Sequence, residues 1–236
     1  MKILEVKNLT KKFGGFAAVN NVSFSLEEGE LTSIIGPNGA GKTTALRLIS
    51  GELDPTRGEI VYKGESIIKA SFNKCAIRGI SRCFQIPSVF STLSVIDNLR
   101  IAGRAKNVGK VALDGRCEEL LEEVRMLPEK NRMAGELAHS KKRILEWCMS
   151  VIQEPGLLLM DELGAGLADS ELAFLYKLIR AKAKAITPLF VEHRLEFVFS
   201  ISDRVIVLHK GERIADGSPS EIRSSKDVKK AYYGED

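Results

Sequence analysis

No stretch of this 236-residue chain approaches the roughly 20 consecutive apolar residues that span a bilayer. The opening residues Met1, Lys2, Ile3, Leu4 and Glu5 lack the charged-then-apolar layout of a secretion signal, so a cytoplasmic protein is expected. Cysteine is scarce. Cys75, Cys83, Cys117 and Cys148 are unevenly spaced with no C-x-x-C pair, which predicts reduced, packed thiols and argues against a metal site. Net charge is only +4, too small by itself to argue for nucleic acid as a partner. Acid is nearly missing from 71–110, where Asp97 stands against Lys74, Arg78, Arg82, Arg100, Arg104, Lys106 and Lys110. That stretch is either a set of solvated faces or a docking surface. There is no internal repeat and no low-complexity segment. With 44% hydrophobic and 28% charged residues the composition is ordinary for a globular protein, long enough for a large core in one or two domains.

Against this plain background one segment stands out. A short β-rich run at 31–35 enters a loop of Gly36, Pro37, Asn38, Gly39, Ala40 and Gly41, and a helix-period stretch opens at Lys42, Thr43 and Thr44. Glycines let the backbone turn its N–H groups inward with no Cβ in the way, and a helix N-terminus adds partial positive charge. The pattern G-x-x-x-x-G-K-[ST] is therefore a phosphate cradle, with Lys42 reaching the β and γ phosphates and the Thr43 hydroxyl available to Mg²⁺.

The rest of the chain alternates around it. Residues 2–9 alternate as an edge strand does, and 22–26 alternate again after the turn signals Gly14, Gly15, Asn20 and Asn21. Between them Phe13 is either core or a platform for a flat base, and spacing alone favours core. Residues 51–58 read as a loop and 59–62 as a strand. Another short apolar run ends at Cys83, Phe84 and Gln85, and Pro87 follows. Ser94 and Asp97 mark a helix start, 112–126 reads as an amphipathic helix closed by Leu127 and Pro128, and a further helix with the only tryptophan, Trp147, covers 140–153. Leu157, Leu158, Leu159 and Met160 form a fully apolar strand ending in Asp161 and Glu162, as in the middle of a parallel sheet. Ligands in such sheets sit beyond the strands' carboxyl ends, so both carboxylates are expected to face the cradle. A helix at 170–184 and strands at 189–191 and 204–208 continue the alternation, with Glu192 and His193 at a strand tip. A strand-terminal Asp beside a Lys-Thr cradle is how P-loop NTPases arrange Mg²⁺, and Glu162 is then placed to polarise a water for in-line attack.

Together these residues resemble the nucleotide-binding subunit of ABC transporters over nearly the whole chain. Residues 36–44 match Walker A, Gln85 the Q-loop glutamine, 157–162 Walker B with its catalytic Glu162, and His193 the switch histidine. The resemblance implies an α/β P-loop fold with a parallel core sheet, an N-terminal antiparallel β part and an inserted helical subdomain. The nucleotide-binding core would comprise 1–85 and 153–236, and the helical subdomain 86–152. It also implies that Phe13 stacks on adenine, that ATP and Mg²⁺ are the cofactors, and that Thr43, Gln85 and Asp161 serve the metal. Lys42, Gln85, Glu162 and His193 would serve catalysis. Residues 137–141 fall where the family carries Leu-Ser-Gly-Gly-Gln, the segment that caps the nucleotide on the opposite subunit. Here Ala138, His139, Ser140 and Lys141 replace Ser, Gly, Gly and Gln, so a hydroxyl is lost at 138, Ser140 is free to cap the following helix, and Lys141 offers a positive charge. Leu163 replaces the usual Pro, and Ala168 stands where an Asp is expected, with Asp169 one step on.

The stretches 201–205 and 228–235 resemble the branched-chain amino acid importer branch, which includes urea and amide systems. The expected protein is thus the ATPase subunit of an importer at the cytoplasmic face of the membrane. It would pair with itself or a related ATPase, bear on two permease subunits, serve an extracytoplasmic solute-binding protein, and bind no nucleic acid. A soluble ABC ATPase acting in iron–sulfur cluster assembly is the alternative class, separated by whether polytopic membrane proteins co-purify.

Overall fold

The structure, a computed structural model, describes residues 1–104 and 109–233. Lys106 of the basic stretch and the C-terminal Gly234 and Glu235 lie outside the described residues. Two sheets form the frame. The first is antiparallel, with β1 (Lys2–Phe13) between β2 (Phe16–Glu27) and β4 (Arg57–Tyr62), and β5 (Glu65–Ser66) outside β4. The second has the order β10 (Glu212–Gly217), β9 (Arg204–His209), β3 (Thr32–Ile35), β8 (Thr187–Val191), β7 (Leu157–Asp161), β6 (Ile80–Cys83). Its five strands from β9 to β6 run parallel, and β10 returns antiparallel on β9.

Strand alternation sorts the side chains of the parallel sheet onto two faces. Leu158, Met160, Phe190, Val205 and Val207 join one apolar cluster, and Leu157, Leu159, Leu189, Ile206 and Leu208 join the other. The first face is covered by α3 (Val95–Gly103), α4 (Lys110–Glu123), α5 (His139–Val151) and α6 (Asp169–Lys182), through residues such as Leu99, Leu121, Trp147 and Leu175. The second is covered by α1 (Lys42–Ile49) and the antiparallel sheet, through Leu46, Ile49, Leu4 and Val6. The remaining helices, α2 (Phe72–Ile77), α7 (Leu195–Ile201), α8 (Pro219–Ser224) and α9 (Lys226–Tyr233), lie in the connections and at the C-terminal end of the chain. All four cysteines are free and buried, as packing alone predicts, and burial raises each thiol above its ordinary pKa.

Several readings of the sequence change. The strand at 2–9 is interior: it hydrogen-bonds β2 on one side and β4 on the other, so its alternation reports one buried face, not an open edge. Asn20 and Asn21 are not a turn but lie inside β2, where Asn21 takes φ 53° at a register shift that admits extra residues. The helix expected at 112–126 ends at Glu123, and Leu127–Glu129 is a separate 3₁₀ turn with Pro128 inside it. The helix after 137 begins at His139 with Ala138 as its cap residue, so Ser140 does not cap it.

The helix start at Ser94 is as expected: its hydroxyl accepts from the Asp97 N–H at 3.2 Å. Ser94→Ala should therefore lower stability by about 1 kcal/mol, read as a shift in the urea unfolding midpoint.

Candidate functional site

Four neighbouring parallel strands end in one plane, because their registers align Ile34 with Val191, Val191 with Asp161, and Met160 with Cys83. Each strand releases its candidate residues just beyond that plane: the 36–44 loop after β3, Glu192 and His193 after β8, Asp161 and Glu162 at the tip of β7, and Gln85 after β6. Sites in open α/β sheets form at this edge.

The glycine loop has its shape for steric reasons. Gly36 takes φ 151°, and a Cβ there would lie 2.0 Å from the Leu208 carbonyl oxygen; Gly41 takes φ 98°, and its Cβ would lie 2.3 Å from the Ala18 carbonyl oxygen. Gly39 faces open space on the other side of the turn. The Ala45 N–H donates to the Gly41 carbonyl, so the amides ahead of it in α1 belong to the first turn, which has no intrahelical acceptors to satisfy it. The Lys42 ammonium folds back onto the loop, donating to the Gly36 carbonyl at 2.7 Å and the Pro37 carbonyl at 3.0 Å. Burial pushes its pKa down, while the Glu162 and Asp161 carboxylates pull it up.

The carboxylates do face the cradle. The Thr43 hydroxyl donates to Asp161 Oδ1 at 3.1 Å. Glu162 adopts φ 50°, a left-handed conformation that non-glycine residues take at a cost, and its carboxylate is held from both sides. Gln85 Nε2 donates to Glu162 Oε2 at 2.9 Å, and His193 Nε2 lies 2.6 Å from Glu162 Oε1. Three strand tips thus converge on one carboxylate. The Thr43 and Asp161 oxygens form a hard-donor pair of the kind that suits Mg²⁺ shared with a phosphate, while the Gln85 amide nitrogen is turned to Glu162. Two features differ from what spacing and charge alone suggest. Phe13 is not core; its side chain is 49% exposed at the end of β1 with the Lys11 ammonium 5.3 Å from its ring centre. Lys141 does not offer a spare charge, because its ammonium pairs with Glu129 at 2.6 Å. Ala138 and His139 are exposed, and the Ser140 hydroxyl hydrogen-bonds Glu171, holding that carboxyl below its ordinary pKa.

Sequence reasoning missed the residues that support this arrangement. Arg82, counted in the basic stretch, points inward: its buried guanidinium donates to Asp161 Oδ2 at 3.0 Å and pairs with Glu52. Burial raises the Asp161 pKa, and Arg82 and the Thr43 hydroxyl oppose that rise. Arg100 is engaged as well, by Asp97 and Asp114, which leaves Lys74, Arg78, Arg104 and Lys110 as exposed cations of the described stretch, Arg78 lying 3.9 Å from Glu65. On α5, Arg143 donates to the Phe84 and Gln85 carbonyls, while Glu146 Oε1 accepts from the Phe84 and Ser88 N–H groups at 3.0 and 3.2 Å. Burial raises the Glu146 pKa against these bonds. The available signal was a charged residue inside an otherwise apolar strand or helix face, which natural proteins retain only when it is paired.

Amides at a helix start, a lysine beside them and carboxylates at the next strand tips define the P-loop ATPase class. Within that class the comparison is specific: residues 19–165 match the ABC transporter family, and the chain belongs to it. It is an ATPase of that family. The chain is 39% identical to the high-affinity branched-chain amino acid transport ATP-binding protein BraF of Pseudomonas aeruginosa, covering 99% of this chain and 98% of that one. It is 35% identical to the corresponding protein LivG of Escherichia coli over the same shares, 99% and 98%. Among solved structures, a nucleotide-free ATP-binding cassette from an ABC transporter superposes with TM-score 0.88 at 29% identity, and a cassette in its ADP conformation with TM-score 0.88 at 30% identity, each over 100% of both chains. Among the described residues no helix is long and apolar enough to cross a membrane.

Because removing one partner strands a buried charge, Arg82→Met should cost roughly 3 to 5 kcal/mol of stability in urea unfolding. An unchanged midpoint would mean that the Arg82–Asp161 contact compensates nothing.

Proposed function

We propose that this chain is the ATP-hydrolysing subunit of an importer for branched-chain amino acids or related small polar solutes such as urea or amides. The observation that carries the reading is the Glu162 carboxylate held between Gln85 and His193, one residue beyond the Thr43–Asp161 contact. The names of the full-length relatives support the class of solute.

In this reading the amides of 36–44 and the Lys42 ammonium hold the triphosphate, with Lys42 exchanging its loop carbonyls for phosphate oxygens. Phe13 stacks on the adenine, for which its exposed ring is suited. Thr43, Asp161 and Gln85 would hold Mg²⁺, which would neutralise phosphate charge. Glu162 accepts a proton from a water aligned with the γ-phosphorus; the new phosphorus–oxygen bond forms as the bond to the β-phosphate oxygen breaks, and ADP leaves with that electron pair. His193 steadies Glu162 and donates toward the γ-phosphate.

Two copies close head-to-tail, each site being completed by residues 137–141 of the other copy. The partner in that pair is a second copy or a related ATPase. Residues 86–152 act as a helical lever that passes closure through the Gln85 loop to two permease subunits, beneath which the chain sits at the cytoplasmic face. An extracytoplasmic solute-binding protein delivers the cargo. No nucleic acid takes part.

Glu162→Gln should retain ATP binding, lose turnover and accumulate an ATP-bound dimer on size exclusion; near-normal hydrolysis would remove Glu162 from the role of base. Phe13→Ala should weaken ATP binding by about 1 to 3 kcal/mol, the range found for base stacking on aromatic side chains, as titrated by fluorescence of a labelled ATP.

A further inference from the structure

Next to His193 lies a carboxylate that the reaction does not use. Glu192 is 5% exposed, and none of the ion pairs among the described residues includes it. Its Oε1 accepts from the His193 N–H at 2.8 Å and the Arg194 N–H at 3.3 Å, and its Oε2 accepts from the Tyr176 hydroxyl at 2.7 Å. Arg194 is engaged elsewhere, by Asp169 at 2.7 Å and the Leu167 carbonyl at 2.9 Å. A buried carboxyl group satisfied by neutral donors alone is a poor way to stabilise a fold, since it exchanges its hydrogen bonds with water for others of little greater net value. Here every donor belongs either to the turn that carries His193 or to α6.

The surroundings fix that turn further. The Tyr176 ring sits 5.8 Å from Phe190 on β8 and 5.8 Å from Phe197 on α7, the two elements that flank His193. A Cβ on Gly164 would lie 2.7 Å from Glu192 Oε2, so the loop leaving Glu162 rests directly on the same carboxylate. The Glu162 N–H also donates to the Val191 carbonyl at 3.0 Å, tying the two loops at their roots. Glu192 therefore touches both segments whose side chains meet in the His193–Glu162 contact of 2.6 Å.

We infer that Glu192, anchored by Tyr176, is the positioning residue that sets the distance between His193 and Glu162. The inference rests on the role given to His193 under the proposed function. Losing the carboxylate frees the His193 and Arg194 N–H groups, lets the turn shift, and breaks a hydrogen bond whose value lies in its geometry.

The test is a double-mutant cycle on the purified chain, with Mg·ATP turnover as the readout and thermal unfolding in parallel. Glu192→Ala should lower kcat about tenfold or more with KM for ATP changed less than about threefold, the pattern of an interaction made in the transition state. In a His193→Ala background the same change should cost no more than about twofold, because residues acting as a unit do not add. Glu192→Gln, whose amide oxygen still accepts from the His193 N–H, should recover most of the loss. Multiplicative losses in the cycle, or normal kcat in Glu192→Ala, would overturn the inference while leaving His193 its role. Normal kcat in His193→Ala would instead overturn the role of His193. If Glu192→Ala does not fold, Tyr176→Phe takes its place in the same cycle with the same two outcomes.

Discussion

Burying the Asp161 carboxylate at the tip of β7 obliges distant parts of the chain to take their places. An isolated ionised group at that depth would neutralise itself or unfold its surroundings. The structure answers with Arg82 from β6 and the Thr43 hydroxyl from α1, and Arg82 is in turn balanced by Glu52 from the loop beyond α1. One buried charge thus locks the edge of the sheet, the helix that follows the glycine loop and the loop that follows that helix. The arrangement also keeps hard oxygen donors beside the Lys42 ammonium, where a polyphosphate needs opposite kinds of partner within a few ångströms.

The cradle and the acidic strand tip were legible because each is local. Glycine spacing, the Lys-Thr pair and an unbroken apolar run ending in Asp161 and Glu162 all sit within a few residues, and local sterics leave them little choice of conformation. His193 was legible as a strand-tip residue on the same sheet edge, whereas Gln85 was legible only through resemblance, since nothing in its neighbours marks it. The supporting residues were illegible for a physical reason. Arg82 meets Asp161 across 79 positions of sequence and Arg143 meets Phe84 across 59, so no window contains both partners. The edge-strand reading of 2–9 failed in a related way: alternation reports which face of a strand is wet, whereas pairing on both sides is decided by β2 and β4 arriving from elsewhere. The basic stretch shows the opposite hazard, since charge counted along the sequence included a guanidinium turned into the core.

Buried acids recur behind the loops of this site, with different partners. Glu146 and Arg143 grip the backbone on both sides of Gln85 from α5, the helix that begins at His139 immediately beyond Ala138. Glu192 grips the turn at His193 from below. In each case the side chain that faces the site is presented by a loop whose main chain bonds a buried acid, and that acid either sits on a helix, as Glu146 does on α5, or is tied to one, as Glu192 is to α6 through the Tyr176 hydroxyl. Precision at exposed residues is thereby borrowed from elements whose own places are set by apolar packing.

The four thiols carry a practical consequence. Each is buried, and each is held above its ordinary pKa by loss of hydration, so little thiolate is available to react at neutral pH. The native thiols should accordingly react slowly with maleimides while the chain is folded. A single cysteine introduced on the surface can carry a spin label or fluorophore without first stripping out the native ones, which makes ruler measurements across an assembled transporter feasible in otherwise unaltered protein.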